Sequence, residues 1–328
     1  MRVAVTGASG HVGGNLVRAL VARGDSARVL LRTDDRAVRG LAVERVEGDL
    51  LEPPALAGLV AGAEVVFHAA AQVWISGDRD GEIERVNVVG TRHVAAACLT
   101  AGVRRLVHFS SIHALESPRA FRAMDESEPL VASSGAPAYD RSKADGEREV
   151  LAATERGLEA VLLNPPAIVG PCDFKPSHTG RLIVALARHR MPALVAGGFD
   201  WVDVRDVASA ALAAADRGRP GERYLISGHW LPIADLAREV EHATGVPAPR
   251  FVAPLWAARL GVPLVAGLAR LSRREALYTA ESLRAIRLSR PVDGTKSRRE
   301  LGHAPRPFVE TIRDSVAWLR EQGYLSVR

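Results

Sequence analysis

The 328-residue chain contains only two cysteines, Cys98 and Cys172. Two are too few for a disulfide framework, and neither has metal-ligand spacing, so both are expected to be reduced and structural. A long uninterrupted apolar run is also missing. The most apolar stretch, FVAPLWAARLGVPLVAGLARL at 251–271, is broken by Pro254, Arg259 and Pro263. That excludes a membrane-spanning helix of ~20 residues. The stretch reads instead as helices that cap a substrate cleft or pack on the core, with peripheral membrane contact as the alternative. No charged and apolar leader precedes the first strand, so the expected location is cytoplasmic. Internal repeats and low-complexity segments are lacking too. The formal net charge is +5, yet no dense Lys/Arg tract and no zinc or helix-turn-helix signature occurs, which argues against a nucleic-acid partner.

What is present begins at residue 1. MRVAVTGASGHVG is an apolar strand followed by glycines at Gly7, Gly10 and Gly13, and GNLVRAL continues at helical spacing. In such a turn Gly7 permits the tight bend, Gly10 lets the backbone approach a pyrophosphate, and Gly13 lets helix and strand pack closely. The helix N-terminus adds free N–H groups and a positive dipole end. Apolar runs at 2–6, 27–31, 64–68, 104–109 and 159–164 alternate with helical stretches, which predicts an α/β fold with a doubly wound parallel sheet of Rossmann type. After residue 171 Pro and Gly become frequent. We therefore expect a dinucleotide-binding domain at 1–171 and mainly a substrate-binding lobe at 172–328, with segments near 200–230 returning to the first domain.

Two further constellations point to catalysis. Tyr139 and Lys143 stand four apart at the start of a helical stretch, so they share a face. An ammonium beside a phenol favours the phenolate, which predicts a lowered Tyr139 pKa and a role in proton transfer. VRRLVHF at 103–109 ends in Ser110-Ser111, placing hydroxyls at the carboxyl edge of the sheet, where doubly wound folds bind ligands.

Together with GDL at 48–50, FHAAA at 67–71, NVVGT at 87–91, YDRSK at 139–143 and NPPAIVGP at 164–171, these segments occur in an order that resembles the extended short-chain dehydrogenases/reductases, the NAD-dependent epimerase/dehydratase family. The likeness covers essentially the whole chain. Through GPCDFKPSHTGR, WVDVRDVA and GRPGERYLISG it is nearest to dihydroflavonol-reductase-like and hopanoid-associated sugar epimerase-like proteins. The resemblance implies a nicotinamide cofactor held by Gly7, Gly10, His11, Val12, Gly13, Asp49, Leu50, Ala69, Ala70, Ala71, Pro165 and Ile168. It also implies a catalytic Ser111 (with Ser110 as the alternative), Tyr139 and Lys143, and a Lys143 that holds the nicotinamide ribose as well.

Cofactor choice turns on Arg32, at the end of the second strand, where a carboxylate would read the ribose hydroxyls of NAD. An arginine there can pair with a 2′-phosphate instead, which predicts NADP(H), with Arg36 as a second cation. Asp34 and Asp35 follow closely and are the ribose partners that would go with NAD. The expected reaction is reduction of a ketone or aldehyde on a small to medium, partly apolar substrate, with Trp74, Trp201 and Phe174 either lining its pocket or serving as packing. The competing reading is a nucleotide-sugar epimerase or dehydratase that retains NAD(P), with Arg181, Arg188 and Arg205 on the diphosphate. The resemblance implies that the helical segments at 82–101 and 139–156 pair with their counterparts in a two-fold homodimer, with small residues Ala95, Ala96 and Ala97 serving close helix approach there or packing within one subunit. No metal is expected.

Overall fold

A computed structural model describes residues 1–73, 81–117, 122–132, 134–260 and 279–325. Trp74 and residues 261–271 of the apolar stretch lie outside the described residues. Strands β1 (Arg2–Thr6), β2 (Ser26–Leu31), β3 (Val43–Glu47), β4 (Val65–His68), β5 (Arg105–Phe109), β6 (Glu159–Asn164) and β10 (Arg223–Leu225) form a seven-stranded sheet. Its order is β10-β6-β5-β4-β1-β2-β3, and every pair is parallel. Alternation along the strands divides the core in two. Val3, Val5, Val107, Phe109, Val161 and Leu163 face helices α1 (His11–Ala22) and α6 (Val204–Arg217). Ala4, Leu106, Ala160 and Leu162 face α2 (Pro53–Val60), α3 (Gly90–Ala101) and α4 (Ala138–Glu155). The edge strand β3 reads VERVE and is half exposed, its charges suiting a sheet edge.

The rest of the chain builds a smaller assembly. Strands β7 (Ala167–Val169), β9 (Gly198–Asp203) and β11 (His229–Pro232) form one sheet, and β8 (Leu194–Val195) pairs with β12 (Val252–Ala253). Helices α5 (His178–Ala187), α7 (Ile233–Thr244), α8 (Ala280–Leu288) and α10 (Phe308–Glu321) close a second apolar core over them. A short helix, α9 (Thr295–Leu301), packs against α6 and β10. Among the described residues no helix is long and apolar enough to cross a membrane.

The segment foreseen as a helix over 82–101 is helical throughout, with a π-helical turn, Arg85–Val89, that leads into α3 and carries Asn87. Such turns are frequent at functional sites. Trp201 does not line a pocket. It is 2% exposed, packs on Phe199 and Phe308, and donates its indole N–H to the Leu231 carbonyl.

Candidate active site

The glycine turn is tested by what a side chain would meet there. At Gly7 φ is +74°, and a Cβ would fall 2.5 Å from the Ala70 nitrogen and 2.7 Å from the Ala69 oxygen. Only glycine allows both that conformation and that approach to the end of β4. At Gly13 a Cβ would lie 2.1 Å from the Gly7 oxygen, so the helix could not pack on the turn. Gly10 differs: its Cβ would meet only the Gly7 oxygen, at 3.3 Å. Gly10 is the N-cap of α1 and supplies no side-chain acceptor, which leaves the first-turn amides for an outside anion. The turn therefore fits a dinucleotide pyrophosphate. The His11 ring contacts the Gly170 and Pro171 carbonyls through Nε2 at 3.2 and 3.1 Å, so it anchors a loop, and only its main-chain amide is left for an anion.

Around this turn the strand ends gather the other expected residues. Ala69 donates its amide to the Thr6 carbonyl, and the Pro165 carbonyl accepts from Ile112 beside Ser111. Ile168 packs against the first core, Leu50 is buried, and Val12 is half-buried. The Asp49 carboxylate accepts from the Leu51 amide at 3.0 Å and lies 3.6 Å from Arg32. Arg32 itself is 70% exposed. Asp34 is clamped by Arg36 through two side-chain bonds, which hold it at about 2, well below the usual carboxylate range. Asp35 is bound by Arg39 and Arg45 at 2.7 and 3.0 Å.

Ser111, Tyr139 and Lys143 come together where β5 ends and α4 begins. The Ser111 hydroxyl accepts from the His113 amide at 3.2 Å and interacts with the Tyr139 phenol. Ser110 is turned inward, its hydroxyl buried without a partner among the described residues. Lys143 is buried and donates from Nζ to the Phe109 carbonyl at 2.7 Å. The expected lowering of the tyrosine is overturned. Burial pushes Tyr139 up to about 12; the Ser111 hydrogen bond works against this, and the Asp140 charge adds to it. The Lys143 ammonium is held on the Phe109 carbonyl of β5, and burial pushes it down to about 8, with Glu147 opposing. The phenol therefore stays protonated at neutral pH.

Several participants were not foreseen. His113 stands 5.9 Å from the Tyr139 ring, edge on, with Nδ1 3.2 Å from Asp140. Asn87 grips the Gln72 main chain at 2.7 and 3.0 Å and donates to Ser142 at 2.9 Å, tying the π-helical turn to α4. Thr91 donates to the Asn87 carbonyl, so its hydroxyl accepts from His68 Nε2, and His68 Nδ1 accepts from Thr6. The sequence signals for these groups were that Asn87 and Thr91 lie within NVVGT and His68 within FHAAA. Phe174 packs on Trp318 under the Arg18 guanidinium.

Comparison with known proteins agrees with this geometry. The model of the NAD dependent epimerase/dehydratase family matches residues 3–227. The chain is 40% identical, over 99% of its length and 100% of the relative's, to "Sterol demethylase protein B" of Methylococcus capsulatus (strain ATCC 33009 / NCIMB 11132 / Bath). It is 35% identical to the 4-hydroxy-2-methyl-3-oxo-4-farnesyl-3,4-dihydroquinoline-1-oxide ketoreductase of Stigmatella aurantiaca, over 98% of this chain and 97% of that one. The crystal structure of gox2253 superposes with a TM-score of 0.86 at 35% identity, covering 99% of both chains. A family match over well more than half the chain, with relatives aligned end to end, establishes that this protein belongs to the NAD-dependent epimerase/dehydratase family of the short-chain dehydrogenases/reductases.

Proposed function

We propose that the protein is an NADP(H)-dependent carbonyl reductase acting on a ketone or aldehyde of a partly apolar substrate. The observation that carries this is the protonated Tyr139 beside Ser111 at the carboxyl edge of the sheet. When bound, the nicotinamide supplies the hydride. The chain's own residues do the rest. The Tyr139 hydroxyl gives its proton to the carbonyl oxygen, Ser111 donates a hydrogen bond to the same oxygen, and Lys143 offers positive charge beneath them. Gly7, Gly10 and Gly13 cradle the pyrophosphate, and the exposed Arg32 meets the 2′-phosphate. Asp34 and Asp35 are engaged by arginines, which supports NADP(H) over NAD.

An apolar substrate is supported by the sterol and farnesyl chemistry in the two relatives' names and by exposed Phe251, Trp256 and Leu260 on the smaller assembly. Support for a nucleotide-sugar diphosphate is weaker. Arg205 is bound by Asp203 and Asp314, and Arg188 donates to the Tyr324 carbonyl. We place the substrate between residues 1–171 and the lobe at 172–328, near the mouth where Tyr139 and His113 meet. The test is a panel of aliphatic, aromatic and steroidal carbonyls followed by cofactor absorbance with NADPH and NADH. Steady cofactor oxidation that falls ~10²-fold in Tyr139→Phe supports the reading. No net oxidation with any carbonyl, with a nucleotide sugar interconverted instead, overturns it.

A further inference from the structure

Behind Lys143 lies a buried polar cluster of Glu147, Asn164 and Arg223, none of them among the expected site residues. Glu147, one helical turn beyond Lys143 on α4, has no exposed surface. Its Oε1 accepts from Asn164 Nδ2 at 2.5 Å, and its Oε2 accepts from Arg223 Nη2 and Nε at 2.6 and 3.1 Å. Asn164 also donates from Nδ2 to the main-chain carbonyl of Ser111, at 2.9 Å. Arg223 reaches the cluster from β10, the opposite edge of the sheet from β3.

A buried ion pair is weak evidence for stability, since well-packed apolar residues often serve as well. Its placement is the informative feature. One carboxylate touches the side chain that holds Ser111, and it sits one turn from the ammonium of Lys143. We propose that Glu147 is a positioning residue: with Asn164 and Arg223 it keeps the Lys143 ammonium and the Ser111 main chain in catalytic register. This rests on the reductase reading of the site and extends it to residues outside the Ser–Tyr–Lys set. The groups packed around Lys143 define the charge balance. Tyr139 and Glu147 share its helix, and Arg223 comes from β10. From β4 and β5 come His68 and His108, both kept neutral by burial, with the Lys143 charge adding to the effect. His113 and Asp140 face each other on the mouth side, and Arg92 and Glu149 pair at the surface. Asn87, Thr91 and Asn164 carry no charge. Glu147 holds the Lys143 pKa up against burial and is itself paired with Arg223, so removing the guanidinium leaves Lys143 facing an unpaired carboxylate and removing the carboxylate leaves it facing the guanidinium.

Three variants of the full chain test this: Glu147→Gln, Arg223→Gln and the double. NADPH affinity by fluorescence and kcat/KM on the best carbonyl of the panel are followed from pH 6 to 10, with thermal melts as the control for folding. Loss of the carboxylate should move the alkaline limb of both profiles down by about one pH unit, and loss of the guanidinium should move it up. The double variant should return near the wild-type limb but keep a kcat at least about fivefold lower, with KM within about twofold, because Ser111 and Lys143 lose their tether. Limbs that stay at the wild-type pH in the single variants, with only the melts affected, overturn the proposal. Should a single variant not fold, the double decides: unchanged kcat overturns, and lowered kcat at constant KM supports. A wild type that reduces no carbonyl refutes the reductase reading alone, since the NADPH-affinity limb still reports on Glu147.

Discussion

Arg32 gives the sharpest test of cofactor preference. Its guanidinium is 70% exposed and 3.6 Å from Asp49. An exposed pair of that length contributes ~1 kcal/mol at most, so turning the side chain to a ligand sacrifices little. A charge-assisted contact with a 2′-phosphate is worth about 1.5–3 kcal/mol. Solvent exposure puts this one in the lower part of that range, about 1.5–2 kcal/mol, which is about 10- to 30-fold in Kd. Arg32→Ala should therefore weaken NADPH by about 10- to 30-fold and leave NADH within about twofold. The gap should narrow as salt rises, because the site is open to screening. An acidic replacement should invert the preference by repelling the phosphate and accepting from the ribose hydroxyls. Fluorescence titration of both cofactors against wild type and variant, at low and high salt, measures all of this. Equal losses for the two cofactors would refute the reasoning and point to Asp34, Asp35 or Asp49 as the ribose partner.

The glycine turn predicts a contrast: Gly10→Ala should melt within a degree or two of wild type yet lose cofactor affinity at least about tenfold, because its Cβ fills the cradle. Gly13→Ala should lower stability by about 1–3 kcal/mol as well, since its Cβ falls on backbone; equal melts for the two would contradict the packing. Reduction should decline above about pH 8 as Lys143 loses its proton, and a flat profile to pH 10 would exclude that role. His68 is pushed down to about 3 and His108 also lies well below its usual value, so below about pH 6.5 the unfolded chain binds protons that the folded one does not. Stability should fall from there towards pH 3, by up to ~1.4 kcal/mol per pH unit for each histidine, and a urea midpoint constant from pH 7 to 4.5 would contradict this. Light scattering at micromolar concentration should give a dimer, with Ala96 exposed on α3 for close helix approach; a monomer would count against it.

The features legible in the sequence were those encoded locally. Strand alternation, the positive φ at Gly7 and the four-residue spacing of Tyr139 and Lys143 depend on neighbours a few positions away. The sheet, and the meeting of Ser111, Tyr139 and Lys143 at one strand end, could therefore be read without coordinates. The strand VERVE escaped the apolar runs because it is a charged edge, and the π-helical turn has no periodicity of its own. Long-range meetings were not legible. Trp201 and Arg205 looked like pocket residues until the second core enclosed the one and Asp203 of β9 and Asp314 of α10 bound the other. The protonation of Tyr139 depended on burial by distant elements, which outweighs its Ser111 hydrogen bond. Arg223 meets Glu147 across 76 residues of sequence. Desolvation and long-range ion pairing arise only when separated segments pack, so these properties were decided by the tertiary structure alone.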